Sequence, residues 1–284
     1  VNGMDYFIEI IKYITLGIIQ GITEIFPVSS SGHVALFSYV MFGSIKTNDL
    51  LSVILTITNM GSFIALLIFY FKDVRILVKD TYSFVFNKLT RQDPDVRFNF
   101  FYVLKLILAI IPIGIVGYLF KDQLNEVTTL LSIGVALIAT SILLLLVWLF
   151  RNIQFEHEIT WKHATIIGFV QMFAVIPGLS RSGITMVGGL SQKIEIKKVL
   201  RFSFLAYLII SVPVSILGIY DMVELISSGT DVNVIGLILA FLFSGIFSYI
   251  TVKIMYQFVK VKNLIWFAGY AFILGLISMI LFFI

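Results

Sequence analysis

Six stretches of this chain, 50–71, 99–120, 127–150, 202–220, 234–258 and 264–284, are apolar for the length a helix needs to cross a bilayer, about 20 residues. Inside lipid, backbone amides must be satisfied within the segment itself, so such stretches fold as helices. Composition points the same way. Of the 284 residues, 59% are hydrophobic and 13% charged, about half the charge of a soluble domain. The expected fold is therefore an all-α integral membrane protein, with residues 1–284 forming a single membrane domain. The chain has no cysteine, which excludes disulfides, thiolate metal sites and a cysteine nucleophile. Its net charge of +4 is modest and clusters between apolar stretches, which suits a lipid bilayer with anionic headgroups and predicts no nucleic acid partner. No cleavable leader is expected, because the first apolar run holds Glu9 and Lys12 and follows no basic stretch.

Two further apolar segments are interrupted. Residues 7–26 contain polar groups and break at Pro27-Val28-Ser29-Ser30-Ser31-Gly32-His33, and the apolar return over 34–42 is too short to cross. Residues 164–176 break at Pro177-Gly178-Leu179-Ser180-Arg181-Ser182-Gly183 and resume only briefly. Both read as re-entrant helical hairpins, so the expected architecture is six transmembrane helices plus two hairpins. Basic residues orient it. The segments 72–98, 151–163, 191–201 and 259–263 hold fourteen Lys and Arg, whereas 43–49, 121–126 and 221–233 hold only Lys46 and Lys121; the richer set belongs in the cytoplasm. Each half is then one hairpin followed by three spans. Three is odd, so the second half enters the membrane upside down, giving inverted repeats over about 7–150 and 164–284. At a constant offset of 151, Gly17, Gln20, Ser29, Ser31 and Gly32 match Gly168, Gln171, Ser180, Ser182 and Gly183. Paired breaks in an inverted repeat predict a binding site near the membrane midplane.

The residues at the breaks suit an anion. Ser29, Ser31, Gly32, Ser180, Ser182 and Gly183 bring hydroxyls and close-approaching backbone to positions where half-helices begin. Arg181 adds a guanidinium, whose forked donors match phosphate oxygens. Glu24, four residues after Gln20 and on the same helix face, requires a cation. Two readings stand: an ion pair with Arg181, or ligation of a divalent metal such as Mg²⁺ or Ca²⁺, with Gln20 as a neutral second ligand. His33 follows the serine run directly and is a candidate proton carrier. Ser30 is a candidate nucleophile with His33 as its base; alternatively the serines only donate hydrogen bonds to phosphate. Lys105 and Lys253 read as snorkelling or interhelical residues, Asn59 and Gln171 as interhelical hydrogen bonders, and His157 and His163 as solvated.

The two broken regions, GIIQGITEIFPVSSSGH (17–33) and PGLSRSG (177–183), resemble the signature regions of the undecaprenyl-diphosphate phosphatase family of the bacitracin-resistance type. The similarity extends through IPIGIVGYLF (111–120) and FSFL (202–205) over nearly the whole chain. The resemblance implies a bacterial cell-membrane hydrolase that converts undecaprenyl pyrophosphate, a polyprenyl pyrophosphate, to the monophosphate with a divalent cation. It further implies an inverted-repeat fold, a pocket opening to the outer face, and a possible homodimeric state. By position, Gln20 and Glu24 fall on the family's acidic motif, Ser30 on its proposed nucleophile, His33 on its histidine, and Ser180 and Arg181 on its phosphate-binding pair. Gln20 replaces a Glu found in some members, and Asn59 stands where Gln is expected. The competing class is a transporter or flippase for a phosphorylated lipid, since broken helices in inverted repeats also build transporters.

Overall fold

In the computed structural model, residues 3–43, 48–120, 123–124, 127–152, 157–229 and 232–284 are described. Lys46 and Lys121, counted above as outer charges, lie outside them. The helices are α1 (Gly3–Ile25), α2 (Ser30–Phe42), α3 (Asn48–Phe69), α4 (Phe71–Phe86), α5 (Pro94–Leu119), α6 (Leu130–Leu149), α7 (Trp161–Gln171), α8 (Arg181–Leu190), α9 (Ile196–Ser227), α10 (Val234–Phe258) and α11 (Leu264–Phe283). Among the described residues there is no strand, only one isolated bridge between His157 and Ile194. The all-helical expectation holds, and the protein is a multi-pass membrane protein.

Seven segments, rather than six, are long and apolar enough to cross a membrane among the described residues, and the seventh is α1. Its polar residues do not interrupt it. Gln20, Thr23 and Glu24 are buried against protein, and the helix runs unbroken for 23 residues, about 35 Å. In contrast, α2, α7 and α8 have 13, 11 and 10 residues, about 15–20 Å each and too short to span. The basic segment 72–98 is also more ordered than a loop. It forms α4 and the start of α5; Arg91 donates to the carbonyls of Phe84 and Val85 at the end of α4 (2.7 and 2.8 Å). Asp93 caps α5 by accepting from Asp95 N at 2.9 Å, with Pro94 in the first turn where its missing N–H costs nothing. The span expected at 202–220 extends from Ile196 to Ser227 and carries Pro213 within it.

Helix packing crosses between the two halves of the chain: α1 lies on α10, and α7 lies on α5. Both contacts rest on a glycine. Gly17 of α1 faces the backbone of Ala240, and a Cβ at Gly168 of α7 would sit 2.8 Å from the carbonyl oxygen of Ala109. Such close approach is how membrane helices gain packing energy where lipid supplies no hydrophobic drive. Gly168→Ala is therefore expected to cost about 1–3 kcal/mol through overpacking, read as a lowered thermal midpoint in detergent. An unchanged midpoint would mean that α7 and α5 do not touch there.

Two apolar clusters result. One gathers Ile25, Leu66, Leu106, Ala109, Ile167, Met186 and Phe202; the other gathers Tyr13, Leu16, Val34, Ile54, Ile133, Leu137 and Ala240. Along α1, Leu16 belongs to the second cluster and Ile25 to the first. Gln20 and Glu24 lie between them. The polar site occupies the seam.

Candidate active site

The two breaks meet. Ser29 takes φ 71°, a region that only glycine enters freely; this turn reverses the chain between α1 and α2. Its side chain then caps α2, accepting from Gly32 N at 3.2 Å. Ser180 caps α8 in the same way, accepting from Gly183 N at 3.1 Å. The breaks also hold one another: Gly178 N donates to Ser31 Oγ (3.3 Å), and Ser182 Oγ donates to the Phe26 carbonyl (3.3 Å). A Cβ at Gly32 would lie 3.2 Å from Gly178 Cα, and one at Gly183 would lie 3.3 Å from the Pro27 carbonyl oxygen. These glycines let the backbones approach. Their amides are taken by the capping serines, and neither residue lines the cavity, so the expected donation of their N–H groups to an anion is not what the geometry offers.

Arg181, the first residue of α8, pairs with Glu24 Oε1. Glu24 Oε2 accepts from Ser30 Oγ at 2.5 Å and from Gln20 Nε2 at 3.0 Å. Gln20 Nε2 also donates to Asn59 Oδ1 at 3.0 Å. The guanidinium of Arg181 lies 3.8 Å over the ring of Tyr207, and Tyr207 OH donates to the Asn59 carbonyl at 3.0 Å. Asn59, a departure from the expected glutamine, thus joins α1, α3 and α9 into one frame around the charge pair. Tyr207 was not singled out from sequence. Its only signal is that it lies two residues beyond the recognisable FSFL stretch (202–205).

A cavity of about 550 Å³ opens from this pair. Glu24, Ser29, Ser30, Ser31, Ser180, Arg181 and Ser182 form its polar end. Beyond them the wall follows one face of α9 through Ile210, Val214, Leu217 and Asp221, so Tyr207 and Asp221 stand about 20 Å apart along the helix. The cavity is thus long, with charge at one end and mainly aliphatic sides.

His33 departs from the sequence expectation. It is buried, away from the cavity wall. Its ring nitrogens are engaged by the Ser29 carbonyl (Nδ1, 2.6 Å) and Tyr270 OH (Nε2, 2.8 Å). Ser30, its expected partner, turns instead to Glu24. The physical reason lies in their partners: the Glu24 carboxylate takes the Ser30 hydroxyl, while the Ser29 carbonyl and Tyr270 hold both nitrogens of the His33 ring. Gln171 bonds within the second break, accepting from Thr185 Oγ1 at 3.1 Å. Lys105 donates to the Ile159 carbonyl at 2.7 Å, and Lys253 sits over the Tyr249 ring at 4.2 Å.

A family model described as bacitracin resistance protein BacA matches residues 13–277. The chain belongs to the BacA family. Within it, this BacA-family chain is 61% identical over 281 residues to the undecaprenyl-diphosphatase of Acholeplasma laidlawii (strain PG-8A), covering 99% of this chain and 100% of that protein. It is 36% identical over 291 residues to the undecaprenyl-diphosphatase of Oceanobacillus iheyensis, covering 98% and 99%. It is 33% identical over 281 residues to undecaprenyl-diphosphatase 2 of Bacillus thuringiensis (strain Al Hakam), again covering 98% and 99%. Both breaks and the Glu24–Arg181 pair fall inside the family match.

Proposed function

We propose that this BacA-family protein is a bacterial membrane hydrolase that converts undecaprenyl diphosphate to undecaprenyl phosphate and orthophosphate, recycling the lipid carrier of cell-wall synthesis and so resisting bacitracin. One observation carries the reading furthest. A serine hydroxyl, a carboxylate and a guanidinium converge at the polar end of a long, mostly apolar cavity. A diphosphate head group suits that end, and an isoprenoid suits the walls.

The chemistry follows from the contacts. The guanidinium of Arg181, with Ser29, Ser31, Ser180 and Ser182, binds and orients the terminal phosphate. Arriving phosphate oxygens draw Arg181 from Glu24, because a doubly charged anion competes well for a forked donor. The freed carboxylate takes the proton of an oxygen nucleophile at the Ser30 position, either Ser30 Oγ or a water bound beside it. That oxygen bonds to the terminal phosphorus while the bridging P–O bond breaks, and undecaprenyl phosphate leaves with the electron pair. If Ser30 attacks, water then cleaves the phosphoserine. Arg181 and the start of α8 neutralise charge building on the phosphoryl oxygens.

A divalent cation belongs to this proposal. Among the described residues no three His, Asp or Glu cluster as a ready-made metal site. The donor set nonetheless fits a hard ion that arrives with diphosphate, which needs only one or two protein oxygens. Glu24 supplies one. The expected second, Gln20 Oε1, is a buried oxygen with no hydrogen-bond partner that lies off the cavity wall, so Glu24 is the one of the pair that reaches the cavity. When bound, Mg²⁺ or Ca²⁺ would neutralise phosphate charge.

The inverted repeat is supported by the reciprocal capping and contacts of the breaks, since Pro27 and Gly178, like Ser29 and Ser180, stand 151 positions apart. With the basic segments in the cytoplasm, the Asp221 end of the cavity faces outward. The purified chain in detergent is expected to release orthophosphate from undecaprenyl diphosphate, and a chelator is expected to slow release by at least about tenfold. Absence of release from the untreated protein would refute the reaction; release indifferent to chelator would refute only the cation.

A further inference from the structure

We propose that Tyr270 is a positioning residue for this reaction: acting through His33, it fixes the Ser29 carbonyl and thereby the turn that presents Ser30 to Glu24. The inference rests on the proposed hydrolysis at that site. Ser29 is one of two non-glycine residues with positive φ among the described residues, a conformation that persists only when its surroundings enforce it. The enforcement is visible. The Ser29 carbonyl accepts from both His33 N (3.2 Å) and His33 Nδ1 (2.6 Å). A carbonyl can only accept, so Nδ1 carries the proton, and Nε2 of the neutral ring accepts from the Tyr270 hydroxyl. The two rings stack, with centroids 5.5 Å apart and planes 16° apart. Tyr270 comes from α11, in the other half of the chain. It therefore holds a ring plane that α2 alone does not specify. The carbonyl gripped by that ring lies one residue before the hydroxyl that reaches Glu24 Oε2. Neither Tyr270 nor His33 lines the cavity, so their influence passes through the turn.

The test uses the purified full chain with undecaprenyl diphosphate, measuring kcat, KM and the thermal midpoint. Tyr270→Phe keeps the ring and removes the hydroxyl. It is expected to lower kcat by about tenfold, the scale of one lost hydrogen bond, with KM and midpoint unchanged. His33→Asn places an amide donor near Nδ1 and preserves the bond to Ser29, whereas His33→Ala removes it. Positioning predicts that asparagine restores most of the kcat that alanine loses, and that Tyr270→Phe has no further effect in the asparagine background. Three results would overturn the proposal: parental kcat in Tyr270→Phe, asparagine as inactive as alanine, or additive losses in the double variant. An inactive parental protein would overturn the hydrolysis and this role together; an active parent beside an unaffected Tyr270→Phe overturns this role alone.

Discussion

Arg181→Ala is expected to lower kcat/KM for undecaprenyl diphosphate by about 10²–10³, the cost of removing one electrostatic contact made to transition-state charge. Three things go at once. The phosphate loses its forked donor, Glu24 loses its counter-charge, and the Tyr207 ring loses the cation above it. Arg181→Lys separates them: it keeps a positive charge but neither fork nor planar stacking. Lysine is therefore expected to recover only part of the loss, mostly in KM. Phosphate release across a range of substrate concentrations gives both parameters. A parental rate in the alanine variant would remove the guanidinium from the mechanism.

Glu24→Gln should produce an opposite pattern. The amide nearly matches the carboxylate in shape and still accepts one hydrogen bond, so the frame of Gln20 and Asn59 remains. It does not take a proton from the nucleophile, and kcat is expected to fall by about 10²–10⁴, the usual contribution of a general base. Arg181, no longer held by an opposite charge, is free for phosphate, so KM should not rise. A variant with normal kcat and raised KM would instead make Glu24 a binding residue only. Comparing the two substitutions therefore divides capture of the head group from activation of the attacking oxygen.

Much of this site is legible in the sequence because polar, glycine-rich breaks inside apolar stretches have few structural meanings. Glu24 and Arg181 are each costly to bury alone, and in the structure they find one another. What sequence does not reveal is direction. His33 and Ser30 are three residues apart, and spacing alone places them together; Glu24 claims the hydroxyl of one, and the Ser29 carbonyl and Tyr270 hold the ring of the other. Tyr207 and Tyr270 sit on helices distant in the chain, among 12 tyrosines, and no local pattern distinguishes them. The reading of α1 errs for a related reason. Its polar residues look like interruptions when counted along the chain, yet α10 and Asn59 cover that face, so the helix continues.

The seating of α1 on α10 carries a consequence for biogenesis. α1 closes against a helix made much later, with Ser248 of α10, 227 residues further along the chain, donating to the Gly21 carbonyl at 3.0 Å. Until α10 is inserted, Gly17 and Gly21 of a nascent chain lack the Ala240 and Ser244 backbone they pack against. The seating of α1 thus waits for α10, and a ribosome stalled before Val234 leaves α1 without the helix it packs on.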